Sequence, residues 1–181
     1  LLHHVKSFHH QEVFEKPSFF KGLTKKEIHM LELKHEFLCD VTGELEDPQP
    51  VGPTPKGIRM IHPVKSGSVK GPKINGEVLG FGADWLLMRA DGAGELDVRL
   101  TIKTDDGEFI HVWYRGILHI SPEVMERAQG GEDVDPSEYY FRTTPVFETG
   151  SEKYGWLNRI ICVGVGKVEP NRVTYRIYRI L

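Results

Sequence analysis

The sequence predicts an all-β protein: a closed antiparallel up-and-down barrel of the lipocalin or calycin kind, with about ten strands and one short helix. Three observations predict it. Glycines and prolines, 19 and 11 of 181 residues, stand singly between short apolar runs and read as turn punctuation. Residues 95–102 alternate polar and apolar side chains almost perfectly, the period of a strand with two unlike faces. The crossover helices that a parallel sheet requires are missing from the pattern.

Residues 1–29 differ in kind from the rest. They hold five of the nine histidines and no arginine, and their five lysines against three glutamates give a net charge of about +2, which leaves about −5 for the remainder. They are expected to be an extension outside the core, either a vector-derived leader, a helix over residues 18–28, or a natural flexible arm. The pairs His3-His4 and His9-His10 lack the supporting shell of a specific metal site.

Residues 30–181 are expected to form one barrel domain. Leu31, Leu33, His35, Phe37 and Cys39 fall on one face of a first strand, opposite Glu32, Lys34 and Glu36. Residues 43–55, with four prolines, read as a loop. Strands follow over residues 58–64, 66–71, 74–81, 84–89, 95–104 and 108–118, with Asp91-Gly92 and Asp105-Asp106-Gly107 as hairpin turns. Residues 122–130 form the short helix, with Ser121 as N-cap, Pro122 at its first position and Gly130-Gly131 ending it. A further helical turn follows Asp135-Pro136, and strands resume over residues 139–148, 159–168 and 173–181. A first strand that pairs with the last removes both sheet edges, which favours the barrel over a sandwich, and eight or more strands enclose room for a ligand.

Composition narrows the function classes. A net charge of −3 without a large basic patch argues against nucleic acid as a partner. The longest apolar runs are too short to cross a bilayer, and no segment has the pattern of a secretory signal. Cys39 and Cys162, each in an apolar strand, read as buried thiols of a reducing compartment, so a cytoplasmic location is expected.

A series of motifs then runs through the chain in order: Gly57-Ile58-Arg59, Gly71-Pro72, Gly76-Glu77-Val78-Leu79 and Gly82-Ala83-Asp84-Trp85. It continues through Leu96-Asp97-Val98-Arg99, Thr104-Asp105-Asp106-Gly107, Arg115-Gly116, Tyr139-Tyr140-Phe141-Arg142, Phe147-Glu148-Thr149-Gly150 and Trp156-Leu157-Asn158. In these the chain from Met30 onward resembles a bacterial and fungal family known as domain of unknown function 3237, or uncharacterised protein family 0311. The resemblance implies a small single-domain β-barrel and assigns no general activity.

No phosphate-binding loop, dinucleotide fingerprint, nucleophile elbow or metal spacing is present, so no cofactor and no metal are expected. Chemistry would then fall to acids, bases and tyrosines. Asp97 and Arg99 share a strand face about 7 Å apart and either grip one ligand inside the barrel or form an outward surface pair. In Asp84-Trp85, which follows a glycine-rich bend, only one side chain can face a cavity. Tyr140 and Arg142 share a face suited to an aromatic or carbonyl ligand, or pack ring under stem. Arg115 lies on the face of His111 and Trp113. Trp156 and Asn158 are placed as a lid or rim over the barrel mouth. The pair Gly164 and Gly166 either opens room for a ligand or seats a neighbouring aromatic.

The leading expectation is a barrel that binds a small, hydrophobic or aromatic, oxygenated molecule. Asp84, Trp85, Arg115, Arg142, Trp156 and Asn158 would line its site. The sharper version is a cofactor-independent lyase, isomerase or hydratase with Asp97 as base, Arg99 as orienting group and Tyr140 as proton donor. The alternatives are a non-catalytic carrier barrel and a homodimeric assembly module. The ligand-binding expectation depends on Asp97 and Arg99 pointing inward, whereas a filled interior would favour the assembly module.

Overall fold

A single antiparallel sheet returns to its own first strand. The computed structural model describes residues 31–181, so the proposed helix over residues 18–28, the histidine pairs and the extension over residues 1–29 lie outside the described residues. Strand β1 (His35–Leu45) pairs with β10 (Arg172–Ile180), which pairs with β9 (Cys162–Glu169). The order continues through β8 (Tyr140–Glu148), β7 (Phe109–His119) and β6 (Gly94–Thr104). Strand β3 (Gly57–Lys70) completes the circuit by pairing with β1.

Between β3 and β6 one position is shared by two short strands. β4 (Asn75–Val78) pairs with the C-terminal part of β3, and β5 (Ala83–Met88) with its N-terminal part. Both also pair with β6. On the other side of β3, β1 gives way to β2 (Gln49–Thr54), which continues the pairing outward. The result is an eight-position closed barrel with extra strands. Helix α1 (Pro122–Gln129) has the expected caps: Ser121 Oγ accepts from the Val124 N–H and Pro122 opens the helix.

Three expectations for the first part of the chain need correction. Leu31 and Leu33 precede β1 and are each 73% exposed. A register shift between Phe37 and Cys39 turns both Leu38 and Cys39 inward, an arrangement a strict two-residue period cannot foresee. The loop expected over residues 43–55 is largely strand, because β2 is a sheet-edge strand where prolines cost no ladder hydrogen bond. Residues 58–64 and 66–71, expected as two strands, are one.

The core lies inside the barrel. In β6 the residues Leu96, Val98, Leu100 and Ile102 are buried, as are Ile110, Val112 and Tyr114 of β7. Residues Lys34–Leu181 form one compact unit. Cys39 and Cys162 are free and buried; burial pushes their thiols up to about 12 and about 11. No helix of the described residues is long and apolar enough to cross a membrane.

One end of the barrel is plugged. Tyr154 and Leu157, on the loop between β8 and β9, are buried. Asp106, in the β6–β7 turn, accepts from Thr104 Oγ1 at 2.6 Å and Tyr154 Oη at 2.9 Å and pairs with Lys153. These donors hold its carboxyl well below the usual range, the Lys153 bond being the largest influence.

Candidate functional site: an apolar cavity with one inward carboxyl

A cavity of about 480 Å3 occupies the other half of the barrel. It opens between the β9–β10 turn, residues 169–172, and the break between β1 and β2, where Glu46 and Pro48 stand; Met125 and Gln129 of α1 also border it. The walls are apolar: Val64, Val78, Leu86, Leu96, Val98 and Leu100 come from successive strands. Tyr114 and Tyr175 form the floor, their rings meeting edge-on with centroids 5.4 Å apart. A void of only about 20 Å3 lies beyond them.

The polarity of the wall is concentrated in β3 and β5. Asp84 and His62 are directly paired across these strands, so both side chains point to the same face, which is the inner one. Asp84 also pairs with Val98, whose side chain is buried in the core. Its Oδ1 accepts the backbone N–H of Asp97 at 3.1 Å. Desolvation pushes the Asp84 carboxyl from its ordinary 3.8 up to about 7. The Asp97 N–H pulls it down, the Asp97 charge adds to the rise, and Arg59 opposes it.

His62 Nε2 is buried and has no hydrogen-bond partner. Burial lowers the His62 pKa, so the imidazole is neutral near pH 7. Desolvation likewise raises both floor tyrosines, which remain protonated. The interior therefore offers a carboxyl that titrates near neutrality, an imidazole in want of a partner, and two phenols. Among the described residues, no three His, Cys, Asp or Glu side chains group closely enough to hold a metal ion.

The expectation that Asp97 and Arg99 project into the barrel is wrong. They form a 3.0 Å ion pair on the outer face, 39% and 53% exposed. The cause is the same alternation that marked the strand: the leucines and valine take the interior, so their polar neighbours take the solvent side. Trp85 is outside as well, with the Arg99 guanidinium 5.5 Å from its ring centroid and the Arg59 guanidinium bonded to its carbonyl. Arg115 is exposed opposite Asp97. Tyr140 is 52% exposed, and Arg142 lies 5.2 Å from its ring, so the ring and guanidinium do meet, but away from the cavity.

Trp156 and Asn158 are not at the mouth. They belong to the loop that plugs the opposite end, where Asn158 pins Thr149 through two 2.9 Å hydrogen bonds and Trp156 packs against the core. Of the residues expected to touch a ligand, Asp84 is the one that lines the cavity. Of the two readings of the glycine pair, the structure selects packing at Gly166: a Cβ there would stand 2.5 Å from the Phe141 ring.

His62, Tyr114 and Tyr175 were missed. Tyr114 was legible in principle, since it continues the apolar face of Ile110 and Val112. His62 was not, because only its cross-strand pairing with Asp84 gives it meaning.

The sequence profile described as "Protein of unknown function (DUF3237)" matches residues 33–180. The chain belongs to this family. A curated relative, the UPF0311 protein RPA1785 of Rhodopseudomonas palustris, is 37% identical over 149 residues, covering 82% of this chain and 97% of the relative. Its crystal structure matches with a TM-score of 0.78 at 35% identity, over 83% of this chain and 99% of that one. The UPF0311 protein CA_C3321 of Clostridium acetobutylicum is 38% identical over 150 residues, covering 82% of this chain and 95% of the relative. A crystal structure described as a beta-barrel like protein from Acinetobacter baumannii matches with a TM-score of 0.73 at 34% identity, over 83% of this chain and 97% of that one. The family likeness therefore extends over nearly all of the described residues.

Proposed function

We propose that this DUF3237 barrel takes a small, largely apolar, oxygenated molecule into its interior and that Asp84 exchanges a proton with it there. The observation that carries the reading is the placement of one inward carboxyl beside an unpartnered imidazole in a wall that, below its polar mouth, is otherwise aliphatic and aromatic. Most ligand pockets have this composition, an apolar lining with a few convergent polar groups.

The step suited to these residues is removal of a proton next to a carbonyl, which lyases, isomerases and hydratases share. Ionised Asp84 accepts the proton, the electron pair moves onto the carbonyl oxygen, and the resulting enolate is held by hydrogen bonds in the interior. A carboxyl that titrates near 7 has useful populations of both forms at neutral pH. The proposed base is thus Asp84 in place of Asp97. The two buried free thiols suit a reducing compartment such as the cytoplasm.

The test uses 1-tetralone, a neutral bicyclic ketone, incubated with the protein in deuterated water and followed by NMR. The protein should accelerate deuterium incorporation beside the carbonyl by at least tenfold over buffer, and Asp84→Asn should abolish the acceleration. No acceleration, or equal rates for the two proteins, would overturn the proton-transfer reading. Retained binding of 1-tetralone without exchange would leave a carrier barrel.

A further inference from the structure

We infer that the cavity is built for an uncharged phenol or enol whose hydroxyl sits between Asp84 and His62, and that it rejects the corresponding carboxylate. This rests on the cavity being the ligand site and names the class of molecule that fits it.

His62 Nε2 is buried and unpartnered, and it faces the same space as the Asp84 carboxyl. A buried polar atom without a partner is costly, so a ligand that supplies the partner gains what the empty site lacks. Directly opposed residues of an antiparallel pair have Cβ atoms about 4.5–5.5 Å apart, a gap that one oxygen atom can bridge from both side chains. A hydroxyl both donates and accepts, so it satisfies His62 in either imidazole tautomer while also meeting the Asp84 carboxyl. An ether accepts only, and a bare hydrocarbon does neither.

The acids bordering the cavity are Asp84 within it and Glu46 and Glu169 at the open end. Among the described residues Arg172, at the mouth, is the one lysine or arginine on its border, and it is occupied by Glu44 at 2.9 Å and Glu169 at 3.9 Å. The Arg59 guanidinium is turned to the Trp85 carbonyl. A carboxylate driven into this space would meet another carboxyl and, among the described residues, no free cation, and an unpaired buried charge is strongly disfavoured.

The inference also agrees with the proposed chemistry. When the proton that Asp84 takes from the carbon beside the carbonyl is passed on to the carbonyl oxygen, the enolate becomes an enol with the same hydroxyl, so the polar pair fits the reacted form of the substrate better than the ketone.

The experiment compares three probes of one shape, 2-naphthol, 2-methoxynaphthalene and 2-naphthoate, by calorimetry near pH 7. Amide shifts of Val98, Leu100 and Tyr114 report whether the probe is inside the barrel. The expected order is 2-naphthol tightest, 2-methoxynaphthalene at least tenfold weaker, and 2-naphthoate on the order of a hundredfold weaker. His62→Phe should bring the naphthol and methoxynaphthalene affinities within about threefold of each other while the methoxynaphthalene shifts persist. Equal binding of the first two probes, equal binding of 2-naphthoate, or an unchanged preference in His62→Phe would overturn the inference and leave the cavity as a ligand site. Failure of all three probes to reach the interior would overturn both. Selective binding of 2-naphthol without deuterium exchange into 1-tetralone would support the inference and refute only the proton transfer.

Discussion

Replacing Asp84 by asparagine should make the protein more stable at alkaline than at acidic pH, relative to the parent chain. In the folded state the carboxyl is pushed from 3.8 to about 7, chiefly because the cavity wall strips it of water. In the unfolded chain it ionises at its ordinary value. Between about pH 4 and pH 7 the folded protein therefore holds a proton that the unfolded chain has released, and stability falls as pH rises. The loss is absent below about pH 4 and complete once pH passes about 7. About three pH units at about 1.36 kcal/mol each give a loss of up to roughly 4 kcal/mol.

Asparagine does not ionise, and its amide oxygen still accepts the Asp97 N–H. The stability difference between Asp84→Asn and the parent should therefore grow by about 3 kcal/mol between about pH 4.5 and about pH 8. Burial lowers the His62 pKa and erodes stability on acidification, but His62 is common to both proteins and largely cancels in the difference. Urea unfolding followed by tryptophan fluorescence at about pH 4.5, 6 and 8 measures it. A difference that stays constant with pH, or one that shrinks as pH rises, would refute the claim that this carboxyl is desolvated in the cavity wall.

Two further outcomes follow from the geometry. Asp97→Asn, Arg99→Gln and Tyr140→Phe, all on the outer face, should each leave deuterium exchange into 1-tetralone within about twofold and stability within about 1 kcal/mol, and a tenfold loss of exchange in any of them would return the chemistry to that face. Gly166→Ala places a methyl 2.5–2.8 Å from three atoms of the Phe141 ring. Overpacking of this kind costs about 1–3 kcal/mol and drives the ring into the cavity, so thermal unfolding should shift down by several degrees and 2-naphthol binding should weaken. An unchanged melting temperature with unchanged binding would contradict the packing described.

Much of the fold was legible because strands and turns are written locally. The alternation of residues 95–102, the Asp91-Gly92 and Asp105-Asp106-Gly107 turns, and the Ser121-Pro122 helix start each depend on neighbours a few residues apart, and all appear in the structure. The errors have equally specific causes. The bulge at Phe37–Cys39 and the break between β4 and β5 interrupt a period that pattern reading assumes to be constant. The polar face of β6 attracted a catalytic role because acids and arginine were close in sequence, yet that closeness is the ordinary signature of a solvated strand face.

By itself the chain determined its β class, the positions of its turns and which side chains on each strand belong together, since these follow from a two-residue period and from residues that accept turn geometry. Only the tertiary structure decided which face of β5 looks inward, and with it the meeting of Asp84 with His62, 22 positions earlier, above the Tyr114–Tyr175 floor. Residues 83–88 carry no clean alternation of their own. Their orientation is imposed by register against β3 and β6, and a shift of one residue would have put Trp85 in the cavity and Asp84 in water.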